Sequence, residues 1–298
     1  MAIVLCTAAL AAVGGVGVNG GAGPIAAVLA VAAPLGLVCL VFGPVTGDYS
    51  WVDRIWSIAP VVFAWIQAAA AGLGPRSLAA ASLVTIWGAR LTFNFARRGG
   101  YSGMEDYRWS VLRSRIASPW AWQAFNALFI VLFQVGVLVL LTMPLGRLAR
   151  EPARPITPAF ALLALLALGL LVWETVADGQ QWRFHERKRM AREASARGEK
   201  PEAEAAADLA RGYCDSGLFR LSRHPNYFGE LGFWWAIWLL CSEGAALPHW
   251  SVAGALALTA VFVGSTRFTE ELSAAKYPGY RQYQSRTPAF VPWLPRHR

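Results

Sequence analysis

Three polar stretches of this sequence hold residue types that move protons or grip phosphate. The first is Asp48-Tyr-Ser-Trp-Val-Asp53-Arg-Ile-Trp56-Ser57. Asp53 stands at the mouth of an apolar run, where an ionisable group is costly unless it lines a polar cavity. A carboxyl kept neutral by apolar surroundings can donate a hydrogen bond to a developing oxyanion, which makes Asp53 a candidate acid. The Trp and Tyr residues around it equally suit an interfacial belt at headgroup depth, and the segment alone leaves both readings open. The second stretch is Arg97-Arg98-Gly-Gly-Tyr101-Ser-Gly103-Met-Glu105-Asp106-Tyr107-Arg108-Trp109. Its glycines imply a tight turn, and its mixed charges suit a solvated loop or the floor of a polar pocket.

The third stretch runs from Glu174 to Glu230 and is joined by the C-terminal tail. Glu174, Asp178 and Gln181 share one helical face, and Arg183 and Arg187 share another. In Ser222-Arg223-His224-Pro225-Asn226-Tyr227-Phe228-Gly229-Glu230, Pro225 is placed to open a helix. Free N–H groups beside Arg223 and His224 would then attract an anion. The tail adds Arg267, Glu270, Glu271, Tyr277, Tyr280, Tyr283 and Arg286. These residues suit a shared pocket of paired charges or an amphipathic cap on a bilayer.

The elements that must position these groups are set by composition. Of 298 residues, 56% are hydrophobic and 15% charged, and mean hydropathy is +0.40. A soluble domain is nearer one quarter charged, so an ordinary globule, a disordered chain and a disulfide scaffold are all excluded. Apolar runs at about 24–42, 55–72, 78–96, 122–146, 157–176, 229–247 and 250–266 predict seven membrane helices. An eighth run at 2–18 lacks a basic flank and is expected to be a retained extra helix within residues 1–20. It contains Gly15-x-Gly17-x-x-Gly20, a dinucleotide fingerprint only when it follows a strand, which nothing here predicts. The fold class is therefore all-α, a polytopic bundle forming a single membrane domain. Residues 24–176 are expected to supply apolar walls of a pocket, and 177–298 the basic loop and tail that offer counter-charges to a polyanion.

Charge gives orientation. The net charge is +9. Five arginines fall in 97–121, ten Lys/Arg in 177–228 and six after residue 266, all on one side of the expected bundle. That side is expected to be the cytoplasm, with the C-terminus inside. Basic residues so placed flank membrane spans, so nucleic acid is not an expected partner, whereas membrane lipid is. The cysteines, Cys6, Cys39, Cys214 and Cys241, show no metal-ligand spacing, and no metal is expected. The Ala/Arg-rich composition suggests a bacterial inner membrane.

The run 222–230, the acidic-then-Tyr tail and Trp51-Val-Asp-Arg-Ile-Trp-Ser57 resemble the bacterial DUF1295 membrane proteins, within the steroid 5-alpha-reductase superfamily. The resemblance covers roughly residues 24–295. Isoprenylcysteine carboxyl methyltransferases and phospholipid N-methyltransferases carry a similar Arg-His-Pro element and Glu-Glu tail. The resemblance to the reductases implies a seven-helix bundle that holds NADPH from the cytoplasmic side and a lipophilic enone between its first four core helices. Their cofactor contacts fall on Arg97, Arg98, Asp178, Arg183, Asn226, Glu230 and Arg267, with Tyr280, Tyr283 and Arg286 matching in pattern. Arg187, Ser222, Arg223, His224, Tyr227 and Glu270 complete the expected cofactor set. The reductases' catalytic Glu position falls on Asp53, but their catalytic Tyr falls on Trp87, which moves the proton donor to Tyr101, Tyr107 or Tyr49.

Charge also separates the cofactors. NADPH brings about four negative charges and calls for several arginines in bidentate geometry. S-adenosylmethionine is better served by acids and aromatics. The basic cytoplasmic segments favour NADPH, with reduction of a conjugated C=C in a lipophilic carbonyl substrate such as a 3-oxo-Δ4 steroid. A membrane methyltransferase and a non-enzymatic lipid-binding or transport protein are the alternatives.

Overall fold

The computed structural model describes residues 23–150 and 154–294. The expected helix at 2–18 and its glycine motif lie outside them. The regular secondary structure of the described residues is helical, with no strand among them. In chain order the helices are α1 (Pro24–Thr46), α2 (Trp51–Ile55), α3 (Ala59–Ala70), α4 (Pro75–Arg97), α5 (Tyr107–Arg115) and α6 (Pro119–Phe125). A π-helical stretch (Asn126–Phe133) leads into α7 (Gln134–Thr142) and a 3-10 segment (Met143–Arg150). Then follow α8 (Pro158–Ala196), α9 (Ala203–Arg211), α10 (Pro225–Cys241), α11 (Ala253–Lys276) and α12 (Tyr280–Arg286).

Four helical stretches are long and apolar enough to cross a membrane: Pro24–Thr46, Pro119–Arg150, Pro158–Ala196 and Trp250–Lys276. α3 is a shorter apolar helix. The chain is thus an all-α membrane protein with four such helices among the described residues, and the expected number of seven is not reached by this measure. Large apolar side chains stay exposed along α1 (Ile25, Leu29, Leu37, Val41, Val45) and α8 (Leu162, Leu165, Val172, Val176). Such continuous apolar surface is what lipid tails, not water, would cover.

Several boundaries differ from the hydropathy pattern for local reasons. The run expected at 55–72 is broken at 56–58, because Pro60 has no N–H for the Trp56 carbonyl and its ring would clash there. Asp53 consequently sits on the separate short helix α2. The span expected to end at 176 continues unbroken to Ala196, 39 residues and about 58 Å of helix. Residues 190–196 are the end of α8, and Gly198, at positive φ, turns the chain toward α9. The run expected at 229–247 starts at Pro225 and stops at Cys241. The run expected at 250–266 continues as α11 to Lys276, so Arg267, Glu270 and Glu271 are residues of that helix.

The described chain divides into two compact units. One holds the residues up to Leu165 with Trp235–Leu258, and the other holds Leu166–Trp234 with the residues from Thr259 onward. In the first, Val28, Val31 and Leu35 of α1, Val52 and Ile55 of α2, Phe63 and Ile66 of α3, and Ile130 and Leu138 form the core. Gly88 lets α4 approach the Ser57 carbonyl, where a Cβ would lie 2.6 Å from the oxygen. A polar staple ties three connections of this unit: Arg76 pairs with Glu243 at 2.6 Å, donates to the Pro155 carbonyl at 2.9 Å and reaches Thr157 at 3.3 Å.

In the second unit, α10 lies tightly against α8. A Cβ on Gly229 would stand 2.6 Å from that of Glu174, and one on Gly232 would meet Leu170 at 2.8 Å. Small residues at i and i+3 permit this approach, and Trp173 Nε1 donates to the Pro225 carbonyl at 2.9 Å.

Candidate functional site

The candidate acid is built in the first unit. Gly47, in the left-handed region at φ 69°, ends α1 and turns the chain back. Asp48 then accepts from the Ser50 backbone at 2.9 Å and pairs with buried Arg54. Arg54 Nε also donates to the Gly100 carbonyl at 3.3 Å, so the polar stretch 48–57 is joined to the glycine turn. Glu105 strengthens the joint by accepting from the Tyr49 backbone at 3.0 Å and from Arg113 at 3.1 Å. The two polar stretches that stood 40–50 residues apart in sequence are one cluster in space.

The hydrogen bond on Asp53 comes from Trp109, whose Nε1 donates to Oδ2 at 2.9 Å. Trp109 is buried, and α5 is positioned by its N-cap: Asp106 accepts from the Arg108 backbone at 2.9 Å. The Asp106 backbone in turn donates to Ser50 Oγ at 2.8 Å. Asp53 lies on α2, outside the four long apolar stretches. Burial pushes its carboxyl above the ordinary carboxylate range, opposed by Arg108 and by the hydrogen bonds of Trp109 and Ser50, and reinforced by Asp106.

The tyrosines expected to assist are placed differently. Tyr101 donates from its hydroxyl to the Arg54 carbonyl at 3.2 Å and sits edge-on to Phe95. Tyr107 begins α5 and is exposed. Tyr49 is buried, accepts from Gln123 at 2.9 Å and packs against Trp122. Trp87, at the position where a tyrosine was expected by resemblance, is fully buried in α4. In the same unit, Arg97 donates to Asn94 at 2.9 Å and Arg98 is exposed at the turn.

The second unit joins the loop after α8 to the tail. Arg223 grips Glu270 through two bonds, Nε to Oε1 at 2.6 Å and Nη2 to Oε2 at 2.9 Å. Its remaining nitrogen donates to the Gln284 carbonyl at 3.1 Å and to that of Thr287. His224 Nε2 meets Glu270 Oε1 at 2.8 Å, and Gln284 donates to Oε2 at 2.9 Å. Ser222 Oγ donates to the Ala289 carbonyl at 3.0 Å. Tyr283 donates to the Phe219 carbonyl and stacks on Tyr213, against which Tyr280 stands edge-on. Burial raises the hydroxyls of Tyr280 and Tyr283 far above their ordinary range, so both remain neutral donors. Arg187 pairs with Asp208 at 2.6 Å, fastening α9 to α8.

Thus Ser222, Arg223, His224, Glu270 and Tyr283, all expected around a cofactor, are engaged in contacts that join tail and loop, and Arg187, also expected there, is engaged with α9. Tyr227 stacks on His224 and meets Phe262 edge-on at 4.6 Å. Asn226 donates to Asp178 at 3.3 Å, and Glu230 accepts from Trp234 at 3.2 Å. Arg183, Arg267 and Arg286 are exposed with no acidic partner among the described residues, as are Arg220 and Arg281. Sequence reasoning gave no role to Trp109, Gln284 or Ser50. Trp109 stands 56 positions from Asp53, so no local spacing could have pointed to it.

A family model described as "Protein of unknown function (DUF1295)" matches residues 39–287. The uncharacterized protein C594.04c of Schizosaccharomyces pombe is 37% identical over 259 residues, covering 84% of this chain and 74% of the relative. No solved structure matches the chain.

Proposed function

The chain belongs to the DUF1295 family, and from that premise we propose that it is a membrane reductase. Its substrate is a lipophilic α,β-unsaturated carbonyl compound of the 3-oxo-Δ4-steroid kind, and its reductant is NADPH. The observation that carries this reading is the junction of loop and tail in the second unit. Arg223, His224, Glu270 and Gln284 hold the two segments together, and the same unit exposes Arg183, Arg267 and Arg286.

The donor set suits the cofactor's charge. Arg183, Arg267 and Arg286, exposed and without acidic partners among the described residues, would hold its phosphates. Asn226 and Asp178 would offer amide and carboxylate contacts to its neutral parts. NADPH would supply the hydride. As negative charge builds on the substrate's carbonyl oxygen, a neutral Asp53 would donate a hydrogen bond to it, with Trp109 holding the carboxyl through Oδ2. The buried aromatics Tyr49, Trp109 and Trp122 belong to the apolar core that also includes Val52 and Ile55 on either side of Asp53 in α2. The same reading puts the basic segments and the C-terminus on the cytoplasmic side.

Thermal shift of the purified protein separates the options. NADPH at 100 times its dissociation constant is expected to stabilise by about 2.7 kcal/mol. Stabilisation by S-adenosylmethionine alone would transfer the site to a methyltransferase, and silence from both would favour a lipid-binding or transport protein. Turnover of a steroid enone with NADPH oxidation completes the test.

A further inference from the structure

The tail beyond Arg286 does more than close the loop. Residues 287–293 run alongside 221–224: Arg223 and His224 donate backbone bonds to Pro288 and Ala289 at 2.9 and 3.0 Å, and Trp293 donates to Leu221 at 2.9 Å. Pro225, next in sequence, opens α10, which continues as Gly232-Phe-Trp-Trp-Ala-Ile-Trp-Leu-Leu-Cys241 with no charge after Glu230. The tail is therefore fastened to the last residues before an apolar helix begins. The outer end of the fastened segment is greasy and bare: Val291 is 65% exposed, Trp293 72% and Leu294 72%. Through the Trp293–Leu221 bond the same end lies beside Arg220, which is exposed and has no acidic partner among the described residues.

We propose that Val291, Trp293 and Leu294, with Arg220, form an interfacial anchor that docks on anionic lipid headgroups of the membrane holding the chain. Three observations agree on that occupant. Trp is the side chain that favours the headgroup level, with its ring among acyl chains and its N–H toward water. Arg220, exposed and next in sequence to the Leu221 that pairs with Trp293, offers a guanidinium that complements a lipid phosphate. The backbone bonds to 221–224 fasten that end of the tail to the residues just before the apolar helix α10. The anchor does not depend on the reductase reading, since it uses neither Asp53 nor the proposed phosphate ligands.

The test uses the full chain with fluorinated tryptophan, in nanodiscs of phosphatidylcholine alone or mixed with phosphatidylglycerol. The Trp293→Phe variant identifies the Trp293 fluorine resonance by its loss. Lipid spin-labelled near the carbonyl is expected to broaden that resonance, and phosphatidylglycerol to increase the broadening. Arg220→Gln should abolish that increase, and should weaken the protein's enrichment of phosphatidylglycerol about fivefold, the value of one interfacial basic charge. Broadening by a water-soluble gadolinium chelate in place of the lipid label would overturn the proposal. So would a resonance reached by neither agent, which is the signature of a protein-covered face, and so would equal broadening in the two lipid mixtures.

Discussion

At Asp53 hydrogen bonding and burial pull the carboxyl in opposite directions. Trp109 occupies Oδ2 at 2.9 Å and stabilises the ionised form, while burial favours the neutral one. If the neutral acid is the active form, activity is lost as pH rises through the Asp53 pKa. Removing the Trp109 bond withdraws support for the carboxylate, raises that pKa further, and moves the alkaline limb of the pH profile upward. Trp109→Phe is therefore expected to lower kcat about tenfold while shifting that limb to higher pH, with NADPH affinity unchanged. Asp53→Asn is expected to lower kcat by about 10²-fold or more at every pH. Full turnover in the Asn variant, with cofactor still bound, would remove Asp53 from the mechanism.

Between elements, the decisive contact is the one carboxylate that holds both segments. Glu270, on α11, receives Arg223 twice, His224 once and Gln284 once, so helix, loop and tail meet at two oxygen atoms. Losing one partner from such a buried, charge-assisted cluster costs about 3 kcal/mol. Glu270→Gln is expected to free the tail before it unfolds the helices. Limited proteolysis should then cut within 277–294 at protease levels that spare the parent protein, with helix content by circular dichroism unchanged. Simultaneous loss of helix and tail would mean that the cluster is a general stability element.

For the whole molecule, the proposed orientation is a statement about charge. With the arginines of 97–121, 177–228 and the tail on the cytoplasmic side, a single cysteine placed at Arg281 in a cysteine-free background should react with a membrane-permeant maleimide and resist an impermeant one in intact cells. Labelling by the impermeant reagent would invert the topology and move every proposed phosphate ligand to the outer face.

The sequence by itself determined that the chain is helical and lies in a membrane, because apolar run length and backbone hydrogen bonding admit few other structures. It also determined that Pro225 begins a helix and that Glu270 stands among arginines, since helix-start chemistry and charge are local properties. Only the tertiary structure decided where several helices stop. Hydropathy does not register that α8 continues into polar surroundings to Ala196, or that Pro60 divides an apolar run. Nor could the sequence say which arginines are committed. Arg223 and Arg183 look alike in one dimension, yet one is clamped on Glu270 and the other is exposed. Pairing across 47 or 56 residues depends on how helices pack, and close packing is decided by shapes such as Gly229 against Glu174, which no spacing along the chain records.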